Sequence, residues 1–101
     1  MKKIVFGLLL SLGLNAQAMS PNEMLAIVGA VKFYNENCAG LNPAGARRMN
    51  QGLKRFKMDK TPISVLEQHP FAISTYNTAK KYGCDGTKRE AQKAGFFQYI
   101  N

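Results

Sequence analysis

Residues 20–38 read SPNEMLAIVGAVKFYNENC, and this stretch decides the fold. Ser20 is a helix-capping residue, and Pro21 stands at the first helical position, where its missing N–H costs nothing. Glu23, three residues after the serine, completes a capping box. Met24, Ile27, Val28, Val31 and Tyr34 then recur at spacings of three and four, which places them on one face of a helix running to Cys38. Leu25 and Phe33 fall off that stripe, so this helix is expected to be covered on more than one side. Gly40 ends it.

The same punctuation continues toward the C-terminus. Asn42 and Pro43 open a second helix with Ala46, Met49, Leu53 and Phe56 as its apolar face. Arg47, Arg48, Lys54, Arg55 and Lys57 lie between those positions, Lys60 follows, and Asp59 is the single acid of the segment. Thr61 with Pro62 repeats the cap-then-proline signal for a short helix carrying Ile63, Val65 and Leu66. Pro70 stops it, because the residue before a proline is pushed out of the helical region. From Pro70 the chain restarts with Phe71, Ala72, Ile73, Tyr76 and Ala79 and is expected to close at Gly83, a left-handed cap. Thr87 and Glu90 form another capping box for a last helix, which Gly95 interrupts. No segment alternates as a strand does. The expected fold is all-α, a bundle of four to five short helices.

Toward the N-terminus, Lys2 and Lys3, an apolar run from Ile4 to Leu14, and Ala16, Gln17 and Ala18 have the layout of a secretory leader with an A-x-A cleavage box. The run is too short for the roughly 20 residues a membrane-spanning helix needs. The reading is therefore a signal peptide over residues 1–18 and a single helical domain over 19–101, periplasmic or secreted, of bacterial type. The formal charge of +8 on 101 residues falls by two when Lys2 and Lys3 leave with the leader, so the remainder stays basic.

Two cysteines remain, Cys38 and Cys84. In an oxidising compartment an even count in a small domain reads as one structural disulfide, and the wide separation is unlike the C-x-x-C of a redox site. If both cysteines terminate helices, the bridge ties the first helix to the fourth and closes the middle of the chain into a loop.

The chemistry-bearing residues are few. His69 is the one histidine, beside a proline, and reads as a surface residue. Carboxylates such as Asp59, Glu67 and Asp85 lack metal-ligand spacing. Neither a nucleophile elbow nor a phosphate loop occurs. No cofactor, no metal and no enzymatic activity are expected. Two features remain. One is the basic set Arg47, Arg48, Lys54 and Arg55, suited to steering an anionic partner. The other is the tail with Phe96, Phe97 and Tyr99, which either folds back into the core or offers an aromatic patch.

In plan, though in no motif, a short helical domain closed by one disulfide resembles the acid-stress chaperones of enteric bacteria and, more loosely, the immunity proteins that neutralise secreted cell-wall hydrolases. The favoured expectation is a binding domain for an acidic extracytoplasmic protein, with an inhibitor or immunity-type role, or for an anionic envelope surface. The alternatives are an acid-stress chaperone and a secreted cationic effector. Nucleic acid is disfavoured by the leader.

Overall fold

The computed structural model describes residues 20–101, so the expected leader lies outside the described residues. The helices are α1 (Pro21–Asn37), α2 (Pro43–Arg55), α3 (Ile63–Leu66) and α4 (Pro70–Lys93), followed by a 3-10 turn at Phe97–Tyr99. Among the described residues there is no strand, and the β pairing is confined to one antiparallel bridge between Leu41 and Ile100.

The caps read from the sequence form as expected for the first two helices. Ser20 Oγ accepts from the Glu23 N–H at 3.2 Å, while the Ser20 N–H donates to Glu23 Oε1 at 2.8 Å. Asn42 Oδ1 accepts from the Gly45 N–H at 2.8 Å, with Pro43 in the first turn of α2. At α3 the expectation fails in detail. Pro62 itself is the cap and no side chain bonds the helix start, so Thr61 does not cap it. The N-cap of α4 is His69, whose Nδ1 accepts from the Phe71 N–H at 3.3 Å and whose ring stacks on Phe71.

The packing is organised by the crossing of α1 and α4. Gly29 allows the approach, because a Cβ there would overlap the carbonyl oxygen of Ala72 and the hydroxyl of Thr75. Buried Ala26, Ala30, Ala72 and Ala79 keep the rest of the seam narrow. Across it the Thr75 hydroxyl donates to the main-chain oxygen of Ala26. Phe33 meets Tyr76 edge-on, with ring centroids 6.0 Å apart.

Helix α1 is covered on more than one side, as expected, and Met24, Val28 and Tyr34 of its apolar stripe are buried. Leu25 and Phe33, off the expected stripe, are buried, whereas Ile27 and Val31, on it, are half-exposed. Two core clusters share α1. Met24, Leu25 and Val28 pack with Leu53, Leu66 and Ala72, while Ala30 and Phe33 pack with Ala79, Ala94 and the half-buried Phe96. On α3 only Leu66 goes inside, and Ile63 and Val65 are 46% and 57% exposed. On α4, Phe71 and Ile73 likewise stay outside because Ala72, Thr75 and Ala79 occupy the seam.

Gly83 takes φ +76° and ψ −179°, the positive φ expected of a helix-ending glycine. The helix closes there as expected and another follows at once, so α4 is two helical arms joined at a kink, the second starting before Thr87 and not at it. Thr87 is buried within the second arm, and its hydroxyl donates back to Ala79 O at 3.2 Å. The expected capping box with Glu90 therefore does not form. Glu90 instead pairs with Lys93 at 3.3 Å.

Cys38 and Cys84 form the disulfide, joining the C-cap of α1 to the kink of α4, with Cα atoms 5.7 Å apart and a sequence separation of 46. The C-terminal tail is held in the same region. The Asn42 N–H donates to Tyr99 O at 3.0 Å, Asn42 Nδ2 to Gln98 O at 2.7 Å, and the Asn101 N–H to Gly40 O at 3.0 Å. Tyr34 adds its hydroxyl, which donates to the main-chain oxygen of Asn101 at 2.6 Å.

Two stability measurements follow from the seam and the bridge. Gly29→Ala should cost about 1–3 kcal/mol in urea unfolding, the usual range for overpacking a tight contact. A neutral or stabilising result would contradict the close approach. Replacing both cysteines by serine should cost roughly 2–5 kcal/mol, and thiol labelling of the unfolded, unreduced chain should detect no free cysteine.

Candidate functional site

Helix α2 carries its charge in two rows. Arg47 and Lys54 are seven residues apart, as are Arg48 and Arg55, so each pair lies two turns apart on nearly the same line of the helix. The rows are offset by roughly a quarter turn, with Gln51 between them. All four basic side chains are exposed. The ion pairs among the described residues are Lys32–Glu36 and Lys93–Glu90, so none of the four has an acidic partner within the described chain. Lys54 and Arg55 also stand in the last turn of α2, where the helix dipole favours cations.

The opposite side of α2 is only partly anchored. Leu53 is buried and Met49 and Phe56 are half-buried, as the apolar face requires, but Ala46 is exposed. Gly45 takes its place inside, because Tyr99 packs directly over it and a Cβ there would overlap Tyr99 O. The helix end is closed by Met58, whose N–H donates to Leu53 O at 2.8 Å, and Lys57 adopts φ +59° to permit that turn.

Between α1, α2 and the tail lies a cavity of about 260 Å³. Ile27 and Val31 of α1 line it, with Met49 and Gly52 of α2, and Phe96 and Ile100 of the tail. Arg48, Gln51 and Arg55 border it from one edge of α2. Tyr34 and Thr87 also contribute, but their hydroxyls already donate to Asn101 and Ala79. Burial, with the Asp85 charge as a lesser cause, pushes the Tyr34 phenol above its ordinary pKa, so it remains a donor to the tail at neutral pH.

The structure thus places the sequence-derived residues in two groups. Arg48, Arg55, Phe96 and Tyr99 converge on the cavity. Arg47 and Lys54 lie on the other row. Phe96 and Tyr99 are half-buried with ring centroids 6.3 Å apart, and Phe97 begins the 3-10 turn. Cys38 and Cys84 stand apart from α2 as the structural bridge. Sequence reasoning missed the cavity. Its signal was the surplus of large apolar side chains on α1 over what one packing seam can cover, already visible in Ile27 and Val31 beside Leu25 and Phe33.

A third cluster joins α1 to α4 at the surface. Lys32 Nζ lies 3.0 Å from Glu36 Oε2 and 4.3 Å from the Tyr76 ring centroid, and the Tyr76 hydroxyl donates to Glu36 Oε1 at 2.8 Å. The Lys32 bond, then the Tyr76 bond, hold the Glu36 carboxyl below the ordinary carboxylate range. A depressed folded-state pKa stabilises the fold above the unfolded pKa, and that contribution is lost as pH falls through the folded value. The group is exposed, so the effect on stability is small. Among the described residues, no group of three or more histidine, cysteine, aspartate or glutamate side chains is placed to hold a metal ion. No described helix is long and apolar enough to cross a membrane.

Compared with known proteins, the chain matches no family model, no curated protein and no solved structure.

Carbon-detected titration of the carboxyls should show Glu36 protonating at lower pH than an unpaired glutamate, and Tyr76→Phe should move it back up. An unchanged midpoint in Tyr76→Phe would remove the phenol from the cluster's electrostatics.

Proposed function

We propose that this chain is an exported binding domain that engages an acidic extracytoplasmic protein through the basic face of α2, in an inhibitor or immunity-type role. The observation that carries the reading is the set of Arg47, Arg48, Lys54 and Arg55, all exposed and none paired with an acid among the described residues. A solvated basic face usually mixes both signs of charge. Here one helix collects a single sign, which raises the local potential and accelerates encounter with an anionic partner. The disulfide is of the kind that oxidising compartments maintain, and the leader-like residues 1–18 supply the route for export.

The acid-stress reading draws less support. Acid opening needs carboxylates whose ionised form holds the fold together. The cluster joining α1 to α4 through Glu36 is exposed, so its protonation removes little.

The test begins with intact mass of the exported product, expected to correspond to cleavage after Ala18. A tagged chain is then used to capture partners from the extracytoplasmic fraction, beside an Arg47→Glu, Lys54→Glu variant. One acidic protein retained by the wild type should associate more slowly with the variant, with the melting temperature nearly unchanged and the difference shrinking at high salt. Equal association rates at low ionic strength would overturn the role of α2. A broad set of clients recovered only after acid treatment would favour the chaperone.

A further inference from the structure

We propose that the cavity between α1, α2 and the tail is a binding site for a single-chain anionic amphiphile, an alkyl or acyl chain ending in a carboxylate. The chain lies among Ile27, Val31, Met49 and Phe96, and the carboxylate meets Arg48 and Arg55 at the edge of α2. This goes beyond the protein-binding reading; the two share Arg48 and Arg55, but that reading is tested on Arg47 and Lys54, so either can fail without the other.

The first support is volume. The cleft is open on one side and holds about 260 Å³, about eight to nine times the share of space a water takes. That exceeds a packing defect and suits an alkyl chain of medium length. The second support is the one-sided polarity. The hydroxyls of Tyr34 and Thr87 are already committed to Asn101 and Ala79. Of the remaining polar side chains on the cavity, Tyr99 comes from the tail, and the charged ones, Arg48 and Arg55, stand with Gln51 on one edge of α2. The site is therefore apolar at one end and cationic at the other, the polarity of an amphiphile and not of an uncharged hydrocarbon or a sugar.

The third support is charge complementarity. Arg48 and Arg55 are two turns apart on one line of the helix and unpaired within the described chain, and guanidinium groups match carboxylates in a fork geometry. Adaptability comes from the walls. Met24 and Met49 line the cavity, and methionine adjusts to irregular apolar shapes at low cost. Gly52 lets Met24 pack directly against α2, because a Cβ there would lie 2.8 Å from Met24 Sδ.

The probe is sodium decanoate below its micelle concentration, with decanol and decyltrimethylammonium as uncharged and cationic counterparts of the same length. The readout is the methyl spectrum of the methionines in the protein beginning after Ala18. Met24 and Met49 lie on the cavity, and Met58 lies outside it. Decanoate should shift the first two in a saturable way and leave Met58 in place. Decanol should bind about tenfold more weakly and the cationic amphiphile more weakly still, as expected when a charged hydrogen-bonding partner is absent. Arg48→Gln with Arg55→Gln, at exposed positions that the fold does not use, should reduce decanoate affinity about tenfold and leave decanol unchanged. Val31→Phe should fill the cavity and abolish both.

Equal affinity for decanoate and decanol, shifts centred on Met58, or no saturation up to millimolar decanoate would each overturn the proposal. So would a Val31→Phe variant that loses an acidic protein partner while the wild type ignores decanoate, an outcome that assigns the cavity to a side chain of that partner.

Discussion

The backbone-to-backbone approach of α1 and α4 at Gly29 and Ala72 is the contact on which the other features depend. With no side chain at Gly29, the Thr75 hydroxyl reaches the main-chain oxygen of Ala26 across the seam. Alanines above and below carry the contact along both helices. The crossing brings Cys38 to Cys84 and turns Tyr34 toward the tail. A narrow seam of small residues cannot also cover the larger ones beside it. Ile27 and Val31 are left facing α2, so the cavity follows from how tightly the other side of α1 is packed.

Helix α2 has a different relation to the core. Its start is held by Asn42, which caps the helix with its side-chain oxygen and bonds the tail with its nitrogens. Its end is held by Leu53 and the turn at Met58. Between those anchors it borders open space on the inside and water on the outside, with two rows of cations. An element fixed at its ends and loosely backed in the middle can adjust to a ligand at less cost than α1 or α4, whose contacts are continuous.

The parts of the fold legible in the sequence were those decided by local chemistry. Ser20 with Glu23 and Asn42 with Pro43 mark helix starts because the orphan N–H groups there have few other partners. Gly83 marks a reversal because few residues other than glycine accept its φ. What misled was any inference from a local signal to a distant contact. Periodicity put Ile27 and Val31 in the core, but Gly29 had already committed another face of α1 to the seam. Thr87 and Glu90 carry the letters of a capping box, yet the second arm of α4 starts before them and Thr87 bonds Ala79 instead. Ile63 and Val65 are apolar at helical spacing and remain outside, since four residues of α3 offer one buried position, taken by Leu66, while Phe71 and Ile73 stay out because Ala72, Thr75 and Ala79 fill the seam of α4. The basic rows were legible as charge, and their division between cavity and solvent was not.

The kink at Gly83 bears on how the chain folds as well as on its shape. The seam pairs residues of the first helix with residues more than forty positions later, and contacts so distant in sequence slow folding because a long loop must close before they return any energy. A covalent link between Cys38 and the kink performs that closure in advance, leaving the two arms of α4 to zip along α1 from a fixed corner. Oxidation state thus sets the search time of the chain: the reduced polypeptide must close that loop by diffusion, and the oxidised one starts from a preformed turn.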